Sequence, residues 1–238
     1  MKSNPPTPRP STTGQDISGP ELAITAWKKL LRTLAGLAIA LAPIAACGGK
    51  VPDTRFYQLS APATAAPPGD LVIALDAFDT DAGYDDERMV YRATPYRIDY
   101  YQYHRWSAAP GTIVGNFLEL ALERSGEFRQ VTREASDRSP VVLRGRVLAI
   151  EEVDTSPTRW LARIVLELTL TDSKTGEALW SEQFEETQQM RVQKPEGLAE
   201  ALSIAMARIA KRATPSIADH ARKHAQTAAT TATAHGAR

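Results

Sequence analysis

The chain has 238 residues, its 28 Lys/Arg are balanced by 28 Asp/Glu, and it holds a single cysteine. Such a length fits one or two domains, and a lone cysteine excludes an internal disulfide and any zinc or iron–sulfur site built on several thiolates. No basic run is longer than Lys28-Lys29, so the electrostatic footprint of a nucleic-acid binder is missing.

Residues 1–46 read as a signal peptide with an extended N-terminal region rich in Pro, Ser and Thr. Trp27-Lys28-Lys29-Leu30-Leu31-Arg32 supplies positive charge, and Leu34 to Ala46 is a run of small and apolar residues. That run is too short to cross a bilayer, which takes about 20 residues. It ends in Ile44-Ala45-Ala46-Cys47, which resembles the lipobox of bacterial lipoproteins: an aliphatic, two small residues, then the thiol that accepts diacylglycerol. Lipidation at Cys47 is therefore expected, and the two or three acyl chains of a lipoprotein anchor it durably. Gly48 rather than Asp in the next position favours, by resemblance to lipoproteins of enteric bacteria, the outer membrane. Removing 1–46 takes away five basic and two acidic side chains, leaving 23 and 26, a net charge of −3.

Residues 47–69 read as the lipidated cysteine, a short strand at Arg55-Phe56-Tyr57-Gln58-Leu59, and a Pro/Ala linker over 61–69. Leu71-Val72-Ile73-Ala74-Leu75 is a bounded aliphatic run, a buried strand. Asp79 to Glu87 is an acidic loop. Arg88 to Tyr103 has strand character on both sides of Pro95. Pro110 opens a helix whose Ile113, Val114, Phe117, Leu118, Ala121 and Leu122 form an apolar stripe, closed near Ser125-Gly126. Short and longer strands follow at Phe128–Val131 and Val141–Val153. The clearest alternation sets Trp160, Ala162, Ile164, Leu166, Leu168 and Leu170 on one face, with Arg159, Arg163, Glu167 and Thr169 on the other. A turn at 172–177 returns the chain as a strand from Ala178 to Thr187.

Glu196 to Arg212 predicts a second helix carrying Leu198, Leu202, Ala205, Met206 and Ile209 on one side. Pro215 is expected to stop or kink it, leaving 215–238 as a disordered Ala/Thr/His-rich tail. The fold class is α+β: a mostly antiparallel sheet with two helices packed on one face, a single domain over 70–214.

Residues 84–106 concentrate six of the seven tyrosines, with four arginines and Trp106. Such a stretch can stack, hydrogen-bond and engage a partner or a lipid headgroup; the competing reading is a strand pair with half its rings in the core. Phe56-Tyr57-Gln58-Leu59 soon after the lipidated cysteine, Met89-Val90-Tyr91-Arg92, Pro95-Tyr96, Tyr100-Tyr101 and His104-Arg105-Trp106 follow one another in order. With Val142-Leu143-Arg144-Gly145-Arg146 and the Gly176, Trp180-Ser181 and Phe184 hairpin, they make the chain similar to the ABC-type transport auxiliary lipoprotein family over about residues 54–212. Ala108-Ala109-Pro110 departs from the Pro-Pro pair expected at the helix start.

The resemblance implies a non-catalytic, docking component of an ABC-type intermembrane lipid transport system. Its expected partner is a protein bearing mammalian cell entry (MCE) domains, its membrane contact the lipid anchor, and its place the outer membrane facing the periplasm. A homo-oligomer is compatible with it, and no cofactor or metal is implied. The candidate partner-binding residues are Tyr91, Arg92, Tyr96, Tyr100, Tyr101, Arg105 and Trp106. Two other classes compete: a lipid-binding carrier, which requires an apolar cavity between helices and sheet, and a periplasmic hydrolase, which requires polar groups converging on His104. The chain lacks a phosphate-binding Gly-rich loop, a Gly-x-Ser-x-Gly elbow and a His-Glu-x-x-His motif. Asp85-Asp86-Glu87 reads as a solvated loop, and the tail histidines His220, His224 and His235 as polar tail.

Overall fold

The computed structural model describes residues 51–236 except 62, 134–138 and 157, and no side chain at 155 or 231–236. The signal peptide and Cys47 lie outside the described residues. The folded unit begins at Asp53. In chain order it comprises β1 (Arg55–Tyr57), β2 (Leu71–Leu75), β3 (Asp79–Thr80), β4 (Arg88–Thr94), β5 (Arg97–Trp106), α1 (Pro110–Glu123), β6 (Phe128–Thr132), β7 (Val141–Ser156), β8 (Arg159–Asp172), β9 (Ala178–Gln189) and α2 (Pro195–Gly236).

β7 is the spine of the sheet. Along one edge it pairs with β8, antiparallel from Val141 opposite Asp172 to Ser156 opposite Arg159, and β8 pairs antiparallel with β9. Along its other edge β2, β3 and β4 join it one after another, all parallel: Ala74 opposite Val142, Asp79 opposite Arg146, Tyr91 opposite Glu152. β5 folds back antiparallel on β4, and β1 and β6 complete the sheet through parallel pairing with β5 and β2. The long ladders are antiparallel, as expected; the short parallel joins are legible only in three dimensions, since strands of two to seven residues carry too little alternation to choose a partner.

One face of this sheet is covered by both helices, which also touch each other. The alternating face of β8 supplies Ala162, Ile164, Leu166, Leu168 and Leu170, all buried, and α2 supplies Leu198, Leu202, Ala205, Met206 and Ile209. At about 25 cal/mol per Å² of apolar surface removed from water, this shared seam is the main stabilising term. Pro110 occupies the first turn of α1, where its missing N–H costs no hydrogen bond. The next amide, Gly111 N–H, donates to the Thr80 hydroxyl at 2.9 Å, so β3 caps the helix across the fold. Gly111 and Gly145 make room for Phe78: a Cβ on either would come within 2.3 Å of the Phe78 carbonyl oxygen or ring.

Two segments differ from the sequence expectation. The linker is a strap held against the helices: Ser60 N–H donates to Ser203 Oγ (3.0 Å) and Ala66 N–H to the Arg124 carbonyl (2.9 Å). The second helix does not end at Pro215; it runs on to Gly236, 42 residues or about 63 Å. An interior proline removes one hydrogen bond and costs about 3 kcal/mol. Beyond it Ile217, Ala218 and Ala221 are buried, Arg222 reaches Glu127, and His224 meets Asp172 at 2.9 Å. Alanine is the best helix former and small enough to lie close against the sheet, so a segment with one large aliphatic still docks.

Candidate docking site on the aromatic hairpin

The β4–β5 hairpin and the turn entering it carry the tyrosine-rich stretch, with Pro95-Tyr96 at the hairpin turn. On one side four rings form a row across three strands. Tyr57 on β1 lies 5.7 Å from the His104 ring on β5, His104 stands edge-on to Tyr101 at 5.7 Å, and Tyr101 meets Tyr91 on β4 at 5.0 Å. Tilted and edge-to-face contacts at these distances are favourable for aromatic quadrupoles. The Tyr57 hydroxyl and His104 Nδ1 are 2.9 Å apart. Burial and the nearby Arg55 push the His104 imidazolium below its usual range.

The row ends on Glu152. Tyr101 donates its hydroxyl to this carboxylate at 3.0 Å, and burial followed by the Glu152 charge raises the Tyr101 phenol well above normal. Glu152 is 1% exposed. Burial, with the Asp154 carboxyl beside it, pushes its pKa up to about 7. Burial raises Asp154 as well.

Glu151, the preceding residue, points to the opposite face and is also 1% exposed. It accepts from the Tyr84 hydroxyl (2.7 Å), Arg92 Nε (3.0 Å) and an Arg163 terminal nitrogen (2.9 Å). Arg92 also donates to Tyr84 and to the Pro95 carbonyl, and Arg163 to Glu185. Tyr84, buried and bonded to Glu151, is pushed up to about 12. A buried carboxylate with three charge-assisted or hydroxyl donors is compensated, and it fixes the hairpin to the spine.

The seven candidate residues thus separate. Trp106 is 1% exposed and belongs to the core, a correction to its place among the partner-binding residues; its indole nitrogen finds no acceptor among the described residues. Trp106 ends β5 opposite Tyr57 of β1, and its ring joins the hydrophobic core cluster. Arg92 is held by Glu151, and Tyr100 lies under the Arg88 guanidinium (4.5 Å) with its hydroxyl on the Gly83 carbonyl. Tyr91, Tyr101 and Arg105 are half-buried, and Tyr96 is 96% exposed at the turn.

Sequence reasoning passed over Tyr84, Glu151, Glu152, Asp154 and Arg163. A signal existed: two successive glutamates inside an apolar strand must face opposite sides of the sheet, so at least one enters a buried layer. A groove of about 680 Å³ opens beside the hairpin turn, lined by Arg92, Pro95, Glu151, Val153, Asp154 and Arg163. Among the described residues no group of three or more His, Cys, Asp or Glu could hold a metal, and no helix is long and apolar enough to cross a membrane.

No curated protein matches the chain by sequence. Among solved structures, a Xanthomonas campestris protein of the family DUF330 superposes with a TM-score of 0.63 at 19% identity, covering 72% of this chain and 99% of its own. A second, uncharacterized protein gives 0.57 at 12% identity, covering 70% and 99%. These likenesses show a shared fold. The family model of the ABC-type transport auxiliary lipoprotein component matches residues 57–213, from the first ring of the aromatic row to the middle of α2. The chain belongs to the ABC-type transport auxiliary lipoprotein family, whose members work in the cell envelope with an ABC transport system.

Proposed function

We propose that this protein is the non-catalytic docking component of an ABC-type intermembrane lipid transport system. It is held by acyl chains on Cys47 at the outer membrane, faces the periplasm, and meets an MCE-domain bridge through its aromatic hairpin. The observation that carries the proposal is the four-ring row of Tyr57, His104, Tyr101 and Tyr91, half-buried across β1, β5 and β4, with Arg105 and the 62% exposed Phe56 paired in register on the neighbouring positions of β5 and β1. Aromatic and arginine side chains dominate interface hot spots. Support against a lipid carrier comes from the seam between helices and sheet, which buried Leu, Ile and Met side chains fill. Support against a hydrolase comes from His104, whose neighbours are tyrosine rings and whose Nδ1 is taken by Tyr57.

Alanine substitutions at Tyr91, Arg92, Tyr96, Tyr100, Tyr101, Arg105 and Trp106 test it, each scored by thermal melting and by pull-down of the bridging protein. Tyr91→Ala and Arg105→Ala are expected to weaken pull-down about 30-fold, from about 2 kcal/mol each, with the fold intact. Trp106→Ala lowers stability and binding together. If every substitution that weakens pull-down also unfolds the domain, the row is structural and the docking face lies elsewhere.

A further inference from the structure

We infer that one end of the domain, formed by the β4–β5, β7–β8 and β9–α2 connections, lies against the headgroups of an anionic phospholipid bilayer. The topology brings the three together. β4 and β7 run parallel with Tyr91 opposite Glu152, so they leave the sheet at the same end. β9 leaves it beside the β7–β8 turn, where Met190 N–H donates to the Trp160 carbonyl at 3.0 Å. The three connections read Thr94-Pro95-Tyr96-Arg97, Ser156-Pro157-Thr158-Arg159 and Met190-Arg191-Val192-Gln193-Lys194, with four cations and no carboxylate.

This end is cationic on a protein whose mature chain is net negative, whereas the β8–β9 turn at the other end carries Asp172 and Glu177 against Lys174. The Arg97–Asp99 and Arg191–Glu200 pairs are exposed surface contacts, so both guanidiniums keep a face toward water. Two of the four exposed large apolar side chains among the described residues also stand here, Tyr96 at 96% and Val192 at 48%. Tyrosine at a turn tip with arginine beside it suits the headgroup layer, where a ring with one polar end is favoured.

The tether agrees. β1 runs parallel to β5, with Arg55 opposite His104, and β5 starts at the hairpin turn, so the chain enters β1 from this end. Arg97 to His104 spans about 23 Å of strand. The eight residue steps from Cys47 to Arg55 reach at most about 29 Å. An anchored cysteine and a headgroup-facing hairpin turn are thereby compatible in length. The inference rests on the lipid-anchored half of the proposed function and not on its docking half.

The folded unit begins at Asp53, so the chain from Gly48 onward holds it whole and carries neither signal nor acyl chain. That protein is sedimented with vesicles of phosphatidylcholine alone or of phosphatidylcholine with phosphatidylglycerol. Binding is expected only with phosphatidylglycerol and weakens as salt rises. Each cation near such a surface contributes about fivefold, so the Arg159→Gln/Lys194→Gln double variant binds about 30-fold more weakly at an unchanged melting temperature. Tyr96→Ala weakens it further. Equal binding to both vesicle types, binding to neither, or undiminished binding by the double variant overturns the inference. So does loss of bridge pull-down by the double variant with vesicle binding intact, which assigns this end to protein docking. Variants of the four-ring row keep their vesicle binding whatever happens to their pull-down, so the two readings fail separately.

Discussion

Truncating α2 after Ser216 removes residues that composition marks as tail and that the structure places partly in the core. Ile217 is fully buried, and burying such a side chain contributes about 1.5–3 kcal/mol. The buried methyls of Ala218 and Ala221 add about 0.8 kcal/mol each. The Arg222–Glu127 and His224–Asp172 contacts are partly exposed and add a few tenths at most. The deletion of 217–238 should therefore destabilise the domain by about 4 kcal/mol. At roughly 2–4 °C per kcal/mol for a domain of this size, the melting temperature falls by about 10 °C. A second truncation, removing only 226–238, takes away no buried residue among those whose side chains are described and should leave melting unchanged. Differential scanning calorimetry of the two truncations decides the matter. A shift under 2 °C for the longer deletion would refute the docking of the helix beyond Pro215.

Two further perturbations follow from the paired glutamates. Glu152 titrates near 7 in the fold against an ordinary 4.5, so between those values the native state binds more protons than the unfolded chain. Stability on this account falls as pH rises through that window, by at most about 3 kcal/mol, and Asp154 adds in the same direction. Urea denaturation from about pH 5 to 8 should show that fall in the wild type and little of it in Glu152→Gln; parallel curves for the two proteins contradict the assignment. On the other face, Arg92→Met with Arg163→Met leaves the Glu151 carboxylate buried with only the Tyr84 hydroxyl. The expected loss is about 3 kcal/mol at neutral pH. A loss below 1 kcal/mol in denaturant titration means that the carboxylate is solvated or protonated.

Legibility followed the range of the interactions. The β8 face, Trp160 to Leu170, and the stripe of α1 were readable because each is a local period imposed by one uniform neighbour, the core. The antiparallel return from β8 to β9 was readable because its turn is local, with Asp172 accepting from the Lys174 and Thr175 amides. The placing of β2, β3 and β4 along β7 was not, since it depends on residues more than 60 positions apart. The extension of α2 was hidden because a proline and a run of alanines say little about what lies across from them. At the candidate site the stretch was found but not its sorting: Trp106 and Tyr96 stand ten residues apart in one strand-rich segment, and burial separates them completely. Tyr96 is left out at the hairpin turn, while Trp106 at the far end of β5 is taken into the core beside β1, a sorting made only by the assembled sheet.

The placing of three successive strands along one edge of β7 has a consequence for how the protein forms. Among the described residues β3 pairs only with β7, and β4 beyond its own hairpin pairs only with β7 as well. A chain that emerges from its N-terminus onward thus presents its first strands before the strand that must receive them exists. The sheet cannot close until residues 141–156 have emerged, whereas β7, β8 and β9 pair through neighbours in sequence as soon as they are present. Completion of the fold therefore runs against the direction in which the chain appears, and the aromatic hairpin is seated only after the spine is in place.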